Sequence, residues 1–279
     1  MRRQDDRRLR RKGDAITRSG EPPGAGGSLP RVVEALLSWY RRERRDLPWR
    51  RTRDPYAILV SEIMLQQTQV TRVIPRYEAW LTRWPTAAAL ARASQAEVLR
   101  EWVGLGYNSR AVRLWEAARI VARDGWPERL EDLPGVGPYT AAAVGSFAFD
   151  RQEIAVDTNA RRVFARLGRQ LVPPPGGAAE FNQATMELGA TVCTARAPRC
   201  GVCPLADDCD GLLEPAPARR VARERFEDSN RWVRGRVVAA LAAGEGLPGD
   251  IAVERLEPAL QGLLRDGLIR RVAGDYALR

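Results

Sequence analysis

The chain has 279 residues, 44% of them hydrophobic, enough to build a core, and a formal net charge of +10. No window offers the roughly 18 uninterrupted apolar residues of a membrane helix, and the arginine-rich N-terminus lacks the apolar stretch of a secretory signal, so a cytoplasmic, membrane-free protein is expected. There is no His, and Lys12 is the only Lys, which excludes histidine bases, histidine metal ligands and a Schiff-base lysine within the folded body.

Along the chain, residues 1–28 mix charge with Gly, Pro and Ser without periodicity and read as a disordered basic leader. Residues 1–53 hold 15 Arg and one Lys against seven acids, a net +9, so the remaining 226 residues carry +1. Such a leader reads equally as a solvated tail or a DNA-binding arm, and net charge alone identifies no partner. From Val32 onward the apolar residues Val33, Leu36, Leu37 and Tyr40 recur at helical spacing, and similar patterns run through 58–81, 96–103 and 111–121. Pro48, Pro55, Pro85, Gly104, Gly125 and Pro127 punctuate them. Almost no strand alternation precedes residue 210, so the body is expected to be all-α.

Glu62 falls in Ile58-Leu-Val-Ser-Glu-Ile-Met-Leu65, four residues after Ile58 and three before Leu65, on one helical face. A carboxyl group on an apolar stripe is expected to be desolvated, with a raised pKa that lets it serve as a general acid. The alternative is a buried Glu satisfied by an Arg. Farther on, Leu133-Pro-Gly-Val-Gly-Pro-Tyr-Thr140 places Gly135 and Gly137 on either side of Val136. Glycines permit a tight turn whose amides, backed by the next helix N-terminus, form a nest for a phosphate oxygen. The segment reads as a helix-hairpin-helix contact to the DNA backbone or as a plain glycine turn, and local sequence leaves both open. Asp157 precedes a helix with Val163, Phe164 and Leu167, where it is suited to N-capping. Capping is compatible with presenting a carboxylate to a cleft.

Cys193, Cys200, Cys203 and Cys209 lie within 17 residues. Four thiolates so spaced can converge on a tetrahedral zinc or an iron–sulfur cubane, and spacing alone does not choose between them. Two disulfides are the third possibility, in a chain whose thiols are expected to stay reduced. Beyond residue 210 a Pro-containing linker, Glu214-Pro-Ala-Pro217, and a basic run ending at Arg225 precede a second unit. There Ser229 is placed to cap a helix through Val233, Val237, Val238 and Leu241; a helix over 256–264 and a hairpin around Gly274 follow, suggesting a winged-helix-like module.

Taken together and in order, Ser61-Glu-Ile-Met-Leu-Gln-Gln-Thr68, Gly104-Leu-Gly-Tyr107, the hairpin, Val156-Asp-Thr-Asn159 and the cysteine spacing resemble the MutY-type adenine DNA glycosylases of the endonuclease III superfamily. The resemblance covers about residues 30–210. It implies an all-α helix-hairpin-helix glycosylase core over 29–210, with a six-helix barrel at about 50–160 and a cluster domain from 29–49 and 161–210. A linker and the winged-helix-like module then occupy 211–279. The implied partner is double-stranded DNA with a mismatched or damaged base pair, the implied cofactor a [4Fe-4S] cluster on the four cysteines, and a monomer is the default.

By this resemblance Glu62 protonates adenine, Asp157 stabilises the oxocarbenium-like sugar, and Tyr139 and Asn159 assist. Gln67 and Tyr107 wedge into the DNA stack, Gly135, Val136 and Gly137 hold its backbone, and Arg45, Trp49, Leu65 and Gln183 line the adenine pocket, with Arg50 counted among the DNA-binding set. In the lyase branch the position of Tyr139 carries the Schiff-base lysine, so a monofunctional hydrolase of base excision repair is implied, acting on adenine opposite 8-oxoguanine or guanine. The alternatives are a thymine or uracil mismatch glycosylase acting opposite guanine, and a non-catalytic DNA-binding relative. The family commonly ends in a Nudix-like domain whose His-bearing loop reads 8-oxoguanine; about 70 residues follow the cysteines here and none is His.

Overall fold

Eleven α-helices, five short 3-10 turns and one two-stranded hairpin account for the regular structure of residues 30–211 and 225–279, the residues described by this computed structural model. The leader expected at 1–28 and the Glu214–Pro217 linker lie outside them.

Helix α1 (Arg31–Glu43) buries Val32, Val33, Leu36, Leu37, Trp39 and Tyr40 along one stripe. Helix α2 (Pro55–Leu65) begins where the Asp54 side chain accepts from the Tyr56 amide and Pro55 supplies a preset φ. Every residue from Tyr56 to Met64 is buried, so Glu62 lies inside the protein by virtue of its helix. The periodicity read through 58–81 belongs to two helices: the chain breaks after Leu65, with Gln67 at φ 56°, and restarts as α3 (Val70–Arg83). Thr86 caps α4 (Ala87–Ala91), and a Ser94–Glu97 capping box opens α5 (Gln95–Trp102). Helix α6 (Ser109–Asp124) ends at Gly125. Helix α7 (Pro138–Phe149) leaves the glycine hairpin, α8 (Thr158–Leu167) follows the Asp157 cap, and α9 (Ala178–Thr191) precedes the cysteines.

Two hydrophobic cores result. The first gathers residues from Leu47 to Val144 around Trp80, which meets Trp84 and Trp102 edge-on at 4.7 and 5.5 Å. The second joins α1 to α8 and α9, with Phe164 against Phe181, and Leu205 closing it among Cys193, Cys203 and Cys209.

Ser229 caps α10 (Asn230–Ala243), whose buried residues are Val233, Val237, Val238 and Leu241. Helix α11 (Val253–Arg265) packs on it, and β1 (Ile269–Val272) pairs antiparallel with β2 (Asp275–Leu278) across the positive-φ pair Ala273-Gly274. These apolar residues are continuous with the first core, and Gln95 of α5 donates to the Gly267 carbonyl at 2.6 Å. Fully buried Val and Leu side chains contribute about 1.5–3 kcal/mol each, which holds the module on the first core.

Candidate active site

Three elements bring two carboxyl groups and a phenol together. Glu62 lies midway along α2, Tyr139 in the first turn of α7, and Asp157 at the N-cap of α8. Glu62 is 6% exposed. Burial pushes its pKa up to about 7; the Tyr139 hydrogen bond opposes this and the Asp157 charge adds to it. Among the described residues no arginine contributes to this shift. Burial and the two carboxylates also raise the Tyr139 pKa, so the phenol keeps its proton, and its hydroxyl lies 3.8 Å from Met186 Sδ of α9.

Asp157 has the opposite environment. Its Oδ1 accepts from the Ala160 amide at 2.6 Å and its Oδ2 from Asn159 Nδ2 at 2.8 Å. Asn159 is itself fixed by Arg162, which donates to its Oδ1 at 2.9 Å. One carboxyl group is therefore suited to give a proton, and the other has both oxygens oriented by N–H donors.

Helix α9 links this group to a second. Tyr40 donates to Gln183 Oε1 at 2.6 Å, and one turn along α9 the Glu187 side chain, fully buried, accepts from Arg45 at 2.7 and 2.8 Å and from Arg50 at 2.8 Å. Burial alone would raise the Glu187 pKa, but the two guanidinium groups outweigh it and hold the carboxylate at about 2. Trp49 packs edge-on against Tyr77 at 5.5 Å, and Leu65 is partly buried beside the first core. The sequence motifs mark Arg45, Arg50 and Gln183 but not Glu187. Its only signal was the four-residue step from Gln183, which puts both on one helical face.

A third group surrounds Gln67 and Tyr107, both at positive φ, 56° and 49°. Their loops are joined by Arg110, a buried residue that sequence reasoning also missed. It donates to the carbonyls of Ile63, Met64 and Gln66 at 2.8, 3.1 and 2.5 Å through one nitrogen, and to those of Leu105 and Gly106 at 3.1 and 2.9 Å through the other. Burial lowers its pKa to about 10, which leaves it charged at neutral pH.

In the hairpin, Val136 is buried and its amide closes the turn onto Leu133 O at 3.1 Å. Gly135 takes φ +82°, and a Cβ there would lie 3.0 Å from Arg113 Cβ, so both backbone and packing require glycine; Gly137 has open space.

The four cysteines are free thiols, and Cys193, Cys209 and Cys200 all act electrostatically on Cys203, so they form one group. The buried Arg166 guanidinium donates to Cys193 Sγ at 3.2 Å, a cation beside a sulfur that would bind as a thiolate, and the Cys209 thiol donates to the Arg166 backbone carbonyl at 3.2 Å.

Comparison with known proteins agrees with this arrangement. The family model described as HhH-GPD superfamily base excision DNA repair protein matches residues 60–176, and that of the iron-sulfur binding domain of endonuclease III matches residues 193–209. The chain is 44% identical to an adenine DNA glycosylase of Mycolicibacterium smegmatis, over 87% of this chain and 94% of that protein. A thermostable thymine-DNA glycosylase superposes with a TM-score of 0.59 at 33% identity, covering 63% of this chain and 93% of the other. An endonuclease III trapped covalently on DNA superposes with a TM-score of 0.56 at 23% identity, covering 64% and 92%, a likeness of fold.

Proposed function

The chain belongs to the adenine DNA glycosylases of the helix-hairpin-helix base excision repair superfamily, and we propose that it hydrolyses the N-glycosidic bond of adenine mispaired with 8-oxoguanine or guanine in duplex DNA. The observation that carries this reading is the buried Glu62 carboxyl, its pKa raised to about 7, beside the capped Asp157 carboxylate.

In this reading the adenine is everted from the duplex, which a mispair makes easier because less pairing is lost. Glu62 gives its proton to a ring nitrogen of the base, so that a neutral adenine leaves as the glycosidic bond breaks. Asp157 faces the electron-poor sugar, stabilises its positive charge, and water completes hydrolysis. Tyr139, whose phenol acts on the Glu62 carboxyl, and Asn159, hydrogen-bonded to Asp157, orient the two carboxyl groups. Arg45, Trp49, Leu65 and Gln183 line the base pocket, Arg50 belongs to the DNA-binding set, Gln67 and Tyr107 fill the gap in the stack, and Gly135, Val136 and Gly137 hold the phosphate backbone. Lys12 being the only lysine, the folded body has no amine for a lyase step.

Cys193, Cys200, Cys203 and Cys209 hold a [4Fe-4S] cluster, which when bound cross-links four points of the chain at the edge of the second core. The working units are the barrel over about 50–160, the cluster domain from 29–49 and 161–210, and the module beyond 211, acting as a monomer on DNA. No helix of the described residues is long and apolar enough to cross a membrane.

The test is single-turnover base release from duplexes carrying A opposite 8-oxoguanine, A opposite G, T opposite G and U opposite G. Adenine release from the first two is expected. Release of only T or U would move the protein to the mismatch branch, and no release with intact binding would make it a non-catalytic relative.

A further inference from the structure

The chemistry at Glu62 concerns one base of the pair and leaves unexplained a cleft of about 680 Å3 between the C-terminal module and the Tyr107 loop. Gln67, Arg72 and Tyr107 line it from the barrel, Phe226 and Arg231 from the module. Tyr107 and Phe226 are 37% and 50% exposed. The Arg231 guanidinium lies between them, 4.9 and 4.8 Å from the two ring centroids, and donates to the Tyr107 hydroxyl. Arg234 and Arg236, also in the cleft, are paired with Asp266 and Asp250, whereas Arg231 has no acidic partner among the described residues.

A planar cation stacked between aromatic rings suits a flat ligand that presents acceptor atoms at its edge. Such a ligand is at hand. Everting one base leaves its partner unpaired within the duplex, next to whatever fills the gap. The cleft is continuous with Gln67 and Tyr107, the two residues assigned to that gap, so the orphaned base and its strand lie in line with it.

We propose that this cleft receives the strand opposite the everted adenine, and that Arg231 is a specificity-determining residue whose guanidinium reads the O6 and N7 acceptors of an opposite guanine. The inference rests on the adenine glycosylase reading. Its consequence is that recognition of the opposite base is built from the module's α10 and the barrel's Tyr107 loop together, each supplying one face of the site.

The experiment compares full-length wild type with Arg231→Ala, Arg231→Lys and Arg255→Ala in single-turnover adenine excision, on A opposite G and on A opposite a tetrahydrofuran abasic analogue. Arg255 is in the same module but does not line the cleft, and so controls for loss of one charge. Arg231→Ala is expected to slow excision opposite G by about tenfold and to stay within about twofold of wild type opposite the abasic analogue, the scale of one bidentate guanine contact. Arg231→Lys, which keeps the charge but loses the planar fork, is expected to follow Arg231→Ala, and Arg255→Ala to follow wild type. Equal loss on both duplexes, full recovery by Lys, or no loss at all would overturn the proposal. Failure of wild type itself to release adenine would instead refute the functional reading and remove the premise with it.

Discussion

Glu62 and Asp157 lie close enough that the charge of one raises the pKa of the other, yet their surroundings are opposed: apolar packing around Glu62, two N–H donors on Asp157. An acid that must be protonated to act, and whose pKa is about 7, sets the pH dependence of the reaction. The single-turnover rate is predicted to be highest below pH 7 and to fall about tenfold per unit well above it, as the proton is lost. A rate constant that stays flat from pH 6 to 9 would contradict the assignment.

The same shift has a cost in stability. Glu62 ionises at about 7 in the folded protein and near its ordinary 4.5 when unfolded. The folded state therefore holds the proton more tightly; there is no penalty below the unfolded value, and stability is lost as pH rises from about 4.5 through 7. Glu62→Gln removes the ionisable group and is predicted to stabilise the protein by on the order of 1–3 kcal/mol at pH 8, with little effect at pH 4. Denaturant titrations at the two pH values measure the difference.

Glu187 has the reverse sign. Its folded pKa, about 2, lies below the ordinary value, so its stabilising effect is present above about 4.5 and disappears as pH falls through 2. Arg50 is nearly as buried as its carboxylate, and Glu187→Gln would leave that cation uncompensated. The loss is predicted at about 3 kcal/mol at pH 7. Arg45 is 41% exposed, and Arg45→Ala should cost about 1 kcal/mol or less. Equal losses for Glu187→Gln and Arg45→Ala in urea unfolding would show that leaving the buried Arg50 without its partner adds nothing to the cost.

Arg110 holds the loops of Gln67 and Tyr107 through five backbone carbonyls and the Thr68 hydroxyl. Lysine cannot reproduce a planar fork with donors on both sides. Arg110→Lys is predicted to destabilise the protein by about 2–4 kcal/mol, since several buried carbonyls lose their donors. It should also lower excision from a mispaired duplex more than from a duplex whose adenine faces an abasic site, where no partner base needs support. A variant with unchanged unfolding and excision would remove Arg110 from this role.

The fold was legible where one physical signal dominated. The stripe of α1 at Val33, Leu36, Leu37 and Tyr40 buries as the periodicity expects, Ser229 caps α10 over the expected buried positions, and the hairpin turns at Gly274. Helix α9 was not singled out because its buried face includes Asn182, Thr185 and Glu187, which hide the apolar repeat. The five-residue α4 is too short to show a period. The break after Leu65 contains neither Gly nor Pro; it depends on Arg110, which arrives from another helix to bind the freed carbonyls. The desolvation expected of Glu62 from its apolar stripe is found, but the burial of Arg110 and Glu187 was not legible, because a charge on an apolar face does not reveal its partner. The roles of the remaining site residues rest on motif resemblance, not on local pattern.

The most direct measurement of the central claim is single-turnover excision of adenine opposite 8-oxoguanine by Glu62→Gln, with binding of the same duplex measured alongside. Gln cannot give up a proton, so excision is predicted to fall by about 10²–10⁴-fold, the range of general acid catalysis, while binding stays within a few-fold of wild type. Excision within a few-fold of wild type would mean that Glu62 is not the acid.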